Sequence, residues 1–166
     1  MRKSVATLVG AAATVAMISG AGLASASPRP AAARTEHFQV MSTSFTASRS
    51  SLVAYGGFTA GGIDVQHRSG TDTFTFAAGS FRVTHKITGG HQHFSLANCL
   101  LAVSQHGTYK LSTGTGRYAG IRGSGRVTIS LIAVGRRNSH GTCETSPFKP
   151  ITSQTILTGQ GPVTLP

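Results

Sequence analysis

Apolar residues along this chain alternate with polar ones or come in short runs, and glycine interrupts them before a helical period can develop. "HFQVMSTSFT" places Phe38, Val40, Ser42 and Ser44 on one face of a first strand. "SLVAYGGFTAGGIDVQHRSG" reads as two strands around the glycines Gly56, Gly57, Gly61 and Gly62. In "DTFTFAAGSFRVTHKIT" Phe74 and Phe76 share one face, and Phe81, Val83, His85 and Ile87 another. "CLLAVSQHGTYKLSTG", "GRVTISLIAVG" and "ITSQTILTGQGPVTL" supply three more strands. In "GRVTISLIAVG", Val127, Ile129, Leu131 and Ala133 point one way and Thr128, Ser130, Ile132 and Val134 the other. Apolar residues on both faces suit a strand lining a barrel on one side and covered by a loop or a neighbouring subunit on the other. Short strands, short turns and no helix predict an all-β fold, a single antiparallel β-barrel of about eight strands over residues 36–166. Glycines inside the strands mark sharply coiled barrel corners.

The first 26 residues are not expected to join that fold. A cationic start (Arg2, Lys3), an apolar run and the small-residue site Ala24-Ser25-Ala26 form a signal peptide, cleaved after Ala26. Residues 27–35, "SPRPAAART", read as a disordered linker. The expected location is therefore extracellular, with no membrane span after cleavage. That compartment bears on the two cysteines: an even pair in an exported chain predicts a Cys99–Cys143 disulfide rather than a reactive thiol or a metal site. The bridge would pin "GRRNSHGTCETSPFKP", the one long polar connection.

Charge narrows the partners. The chain has 15 Lys and Arg against four carboxylates (Glu36, Asp64, Asp72 and Glu144), a formal net charge of +11. That balance favours polyanions. In sequence the cations are scattered, with no Trp and no interleaved aromatic platform, so nucleic acid is not an expected partner.

"GTGRYAGIRGSGRV" poses the sharpest question, because a glycine-rich loop can cradle phosphate. The following "RVTISLIAV" is a strand, so no helix N-terminus is on hand for a pyrophosphate, and the Gly-Lys of a P-loop is missing. Gly114, Gly116, Tyr118, Gly120, Gly123 and Gly125 are instead read as structural turn positions around a docked tyrosine. This stretch, with "HGTYKLS" before it, resembles the strand–turn–strand signature of the allene oxide cyclase barrel-like and dirigent-like proteins. "LVAYGGFTAGGIDV" is similar to an early hairpin of that barrel, and "GQGPVTL" to its last strand. The resemblance spans roughly residues 36–165 and implies a secreted bacterial eight-stranded barrel. Plant members cyclise a fatty-acid epoxide or guide phenoxyl-radical coupling. No residue of those active sites maps here by motif, so the catalytic residues are unknown.

Other constellations are thin. His91 and His93 share a strand face, and His85 on an adjacent strand could join them as three metal ligands, although no carboxylate stands nearby in sequence to orient them. No G-x-S-x-G elbow occurs. Asp64 and Asp72 are expected at the surface beside Arg68 or Arg82, and Tyr55, Tyr109 and Tyr118 in the barrel core. No cofactor is expected. The leading functional expectation is a binding or interaction module holding a small apolar ligand in the barrel. Its alternatives are a pocket-guided isomerase or cyclase of the resembling families, and a basic protein docking on anionic cell-wall polymers. Homo-oligomerisation is left open.

Overall fold

The computed structural model describes residues 32–44, 46–67 and 70–165. The expected signal peptide, the linker up to residue 31 and Arg68 lie outside them. Eight strands follow in order: β1 (Arg34–Ser42), β2 (Arg49–Tyr55), β3 (Ala60–His67), β4 (Thr71–Phe76), β5 (Gly79–Ser95), β6 (Leu100–Ser112), β7 (Arg122–Gly135) and β8 (Pro150–Thr164). Each pairs antiparallel with the next, and β1 pairs with β8, which closes the barrel. The first strand opens at Arg34, inside the stretch expected to be linker, because Arg34 and Thr35 already pair with Val163 and Pro162 of β8.

The period-two pattern becomes the inside and outside of the barrel. Phe38, Val40, Leu52, Ala54, Phe74, Phe76, Phe81, Val83, Tyr109, Leu111, Val127 and Val163 point inward and form the core. The rings interlock: Phe81 lies 5.4–5.9 Å, centroid to centroid, from Phe38, Phe74, Phe76 and Tyr118. Beyond the barrel, β5 to β8 continue as an extended sheet. Cys99 and Cys143 form a disulfide there, tying the β7–β8 connection to the β5–β6 turn. Phe148 from that connection meets Phe94 edge-on at 5.7 Å.

The glycine-rich stretch divides in two. Gly116–Tyr118 forms a single 3-10 turn that buries Tyr118 and Ile121 at one barrel mouth. Gly116 and Gly120 take left-handed φ values of 57° and 81°, as turn positions require. Gly123 and Gly125 are not in the turn: they belong to β7. A Cβ on Gly125 would stand 2.1 Å from the Gln160 carbonyl oxygen and 2.8 Å from the Tyr109 ring, so close approach explains that glycine.

Candidate functional site

Three of the four carboxylates are inside the barrel. Glu36, Asp64 and Asp72 are exposed by 0%, 1% and 4%. Strand parity puts them there: Glu36 alternates with Phe38 and Val40, and Asp72 with Phe74 and Phe76. Asp64 faces Ser50 across β2–β3 and Phe74 across β3–β4. The expectation that Asp64 and Asp72 lie at the surface beside Arg68 or Arg82 is therefore corrected: both are buried, and Arg68 lies outside the described residues. Thr73, the outward neighbour of Asp72, is the residue opposite Arg82.

Asp72 meets His85 instead. His85 Nδ1 lies 3.1 Å from Asp72 Oδ2, at ion-pair distance rather than in an aligned hydrogen bond. The adjoining Asp72 carboxylate raises the His85 pKa, outweighing partial desolvation. Burial pushes the Asp64 carboxyl up to about 7, and the Asp72 charge acts in the same direction. Asp64 Oδ1, Ser50 Oγ and Tyr109 Oη are buried without a hydrogen-bond partner. An acid that holds its proton near neutrality beside an imidazole is the equipment of acid–base chemistry. The cavity bounded by Asp72, His85, Tyr109 and Phe38, among others, measures about 10 Å³, room for one water.

The opposite mouth is more open. Glu36 Oε2 accepts the Phe58 backbone N–H at 2.9 Å, and Oε1 has no partner. Burial raises its pKa against the pull of the Phe58 and Gly57 amides. Arg34, Glu36, Phe58, Arg117, Val163 and Leu165 are among the residues bounding a cavity of about 400 Å³ there.

With the acids inside, the exterior is cationic, and the register gathers the cations. Arg82 and Lys86 of β5, Lys110 of β6, and Arg122 and Arg126 of β7 all point outward and are exposed. Lys86, Thr108 and Arg126 form one row across three strands, and Thr84, Lys110 and Ser124 the next. Two strands away is about 10 Å, so Lys86 and Arg126 sit on one continuous face. Among the described residues no carboxylate and no Phe or Tyr shares it. Along the chain these cations are scattered, and their spacing conceals a proximity that only the strand register creates.

The histidines separate rather than converge. His85, His91 and His93 all lie on β5, where a bulge between Ile87 and Gly89 shifts the register. Before it His85 points inward. After it Phe94 takes the inner face opposite Leu101, and His91 and His93 point outward opposite Ser104 and Ala102. The expected three-imidazole site is thereby taken apart, and among the described residues no group of three or more His, Cys, Asp or Glu is placed to hold a metal ion. Tyr109 and Tyr118 are in the core as expected, but Tyr55 points outward and stacks on His37 at 4.9 Å.

Fold and site together define a closed antiparallel barrel with an aromatic-rich core, three acids inside and a cationic face over β5, β6 and β7. Among the described residues no helix is long and apolar enough to cross a membrane. No protein-family model, no curated protein and no solved structure matches the chain.

Proposed function

We propose that this protein is exported and acts as a binding module that docks on an anionic cell-wall polymer through the outer face of β5, β6 and β7. The observation that carries the reading is the cluster of Arg82, Lys86, Lys110, Arg122 and Arg126 on one exposed face, with three of the chain's four carboxylates buried inside the barrel. The cavity beside Asp72 and His85 measures about 10 Å³, too little for an apolar ligand there. Threonines and serines between the cations offer hydrogen bonds to phosphate or carboxylate oxygens. With no Phe or Tyr on the face, base stacking is not provided for, which favours a flexible polyanion over single-stranded nucleic acid.

The test is retention on a purified phosphate-rich wall polymer, with a neutral wall polysaccharide as control. Binding is expected at low salt and release as ionic strength rises. The Lys86→Gln, Lys110→Gln, Arg126→Gln triple variant is expected to bind more weakly, with a log–log salt slope reduced by about one per cation removed. Equal, salt-insensitive retention on the neutral polysaccharide would overturn the reading.

A second reading belongs to the Glu36 mouth, where a buried carboxyl oxygen without a partner lies at the wall of a cavity of about 400 Å³. A small molecule with a hydrogen-bond donor would complete it. This is also where the pocket-guided chemistry of the resembling families would be sought. Native mass spectrometry of protein from culture supernatant tests it: a bound small molecule lost in Glu36→Gln supports this reading, and the bare mass in the wild type removes it.

A further inference from the structure

The side of the barrel away from the cationic face carries the opposite anomaly. The outward residues of five adjacent strands, β8, β1, β2, β3 and β4, are threonine, serine, glutamine, histidine, glycine, proline and apolar side chains, with one exception. That exception is Arg49, at one end of β2 opposite Val65. Four of the large hydrophobic side chains most open to solvent lie here: Met41, Val53, Tyr55 and Ile63, each 39–46% exposed.

They are contiguous. Met41 and Ile63 both face Ser51, which places them on the diagonals of Val53, while Tyr55 follows Val53 on the same face. Gly61 lies opposite Val53 and leaves a hollow, since a Cβ built on it meets nothing within 4 Å. Isolated exposed hydrophobics need no explanation, but a contiguous apolar group rimmed by neutral polar residues marks an interaction surface.

Charge selects the occupant. For a chain of formal charge +11, a second copy approaching the cationic side is repelled, whereas approach centred on β1, β2 and β3 brings together a surface whose one Lys or Arg is Arg49 at its end. We infer that the neutral face of β8, β1, β2, β3 and β4 seats a second copy of this chain. The assembly would carry its cationic faces outward, on opposite sides.

The experiment is sedimentation of the full mature chain over a range of concentration and salt. Self-association is expected and should strengthen as salt screens the residual repulsion. Polymer binding should weaken with salt, so the two readings can fail separately. Gly61→Arg fills an open hollow at an ordinary backbone conformation and should leave the thermal melt unchanged while weakening association roughly tenfold or more. Val53→Lys should act alike, and Lys110→Gln on the far side should leave association unchanged. A wild type that stays monomeric at every concentration overturns the inference, as does an oligomer that survives both Gly61→Arg and Val53→Lys. A monomer that binds neutral phosphatidylcholine vesicles through Val53 and Ile63 overturns it in favour of a lipid surface.

Discussion

Gly79 and Gly116 lean against each other at the Glu36 mouth, each occupying the space where the other's side chain would be. A Cβ on Gly79 would stand 2.2 Å from the Thr115 carbonyl oxygen and 3.1 Å from the Gly116 Cα, and one on Gly116 2.3 Å from the Ala78 oxygen and 3.1 Å from the Gly79 Cα. Both have positive φ, 140° and 57°. The contact seats the 3-10 turn on the β4–β5 hairpin, reinforced by the Arg117 N–H donating to the Ala78 oxygen at 2.8 Å. Gly116→Ala is expected to destabilise the protein by about 1–3 kcal/mol, from backbone strain alone. Urea unfolding measures it, and an unchanged midpoint would refute the contact.

The buried acids make stability depend on pH. Folding raises the Asp64 pKa to about 7. The folded state therefore binds this proton more tightly than the unfolded chain, whose aspartates titrate near about 3.9. That contribution is full below the unfolded pKa and is lost as pH rises through about 7. His85, raised by Asp72, acts in the same direction: its support is full below about 6.5 and lost as pH passes its folded pKa. Asp64→Asn should therefore raise Tm at pH 8, by roughly 4 °C for each kcal/mol recovered, and change it little at pH 4. A variant that melts at or below wild type at pH 8 would contradict the burial assigned to Asp64.

Phe81 is fully buried among four rings, two phenylalanines of β4 (Phe74 and Phe76), Phe38 of β1 and Tyr118 of the 3-10 turn. Phe81→Ala leaves a cavity at the centre of the barrel and should cost about 3–5 kcal/mol in chemical denaturation. A loss below about 1 kcal/mol would mean the core is loosely packed.

Cys99 and Cys143 are bonded across 44 residues of chain. Thiol titration of the unfolded, unreduced protein should find no sulfhydryl. Replacing both with serine should lower stability by up to about 4 kcal/mol on the chain-entropy account. Two reactive thiols in unreduced protein would refute the bond.

The strands and the disulfide were legible because each rests on a local rule, alternation for the one and an even cysteine count for the other. Alternation also contained the burial of Asp72 and Glu36, two residues ahead of Phe74 and Phe38, but carboxylates are read as surface residues by default. Asp64 gave a weaker sign, since it alternates with Gly62 rather than with a large side chain. The cationic face was invisible along the chain: Lys86, Lys110 and Arg126 become neighbours only when β5, β6 and β7 pair in their register. The histidine site failed for the same kind of reason, because a bulge cannot be placed without knowing how β5 and β6 pair.

That bulge has a further meaning. Along β5 the assignment of side chains to inside or outside behaves like a reading frame, and the extra residue near Thr88 shifts it once. Removing a single residue there would put His91 and His93 on the inner face and turn Phe94, which meets Phe148, toward solvent. A one-residue deletion would thus exchange Gln92 and Phe94 for a pair of imidazoles on the inner face of β5, with the strands after it unaltered in sequence.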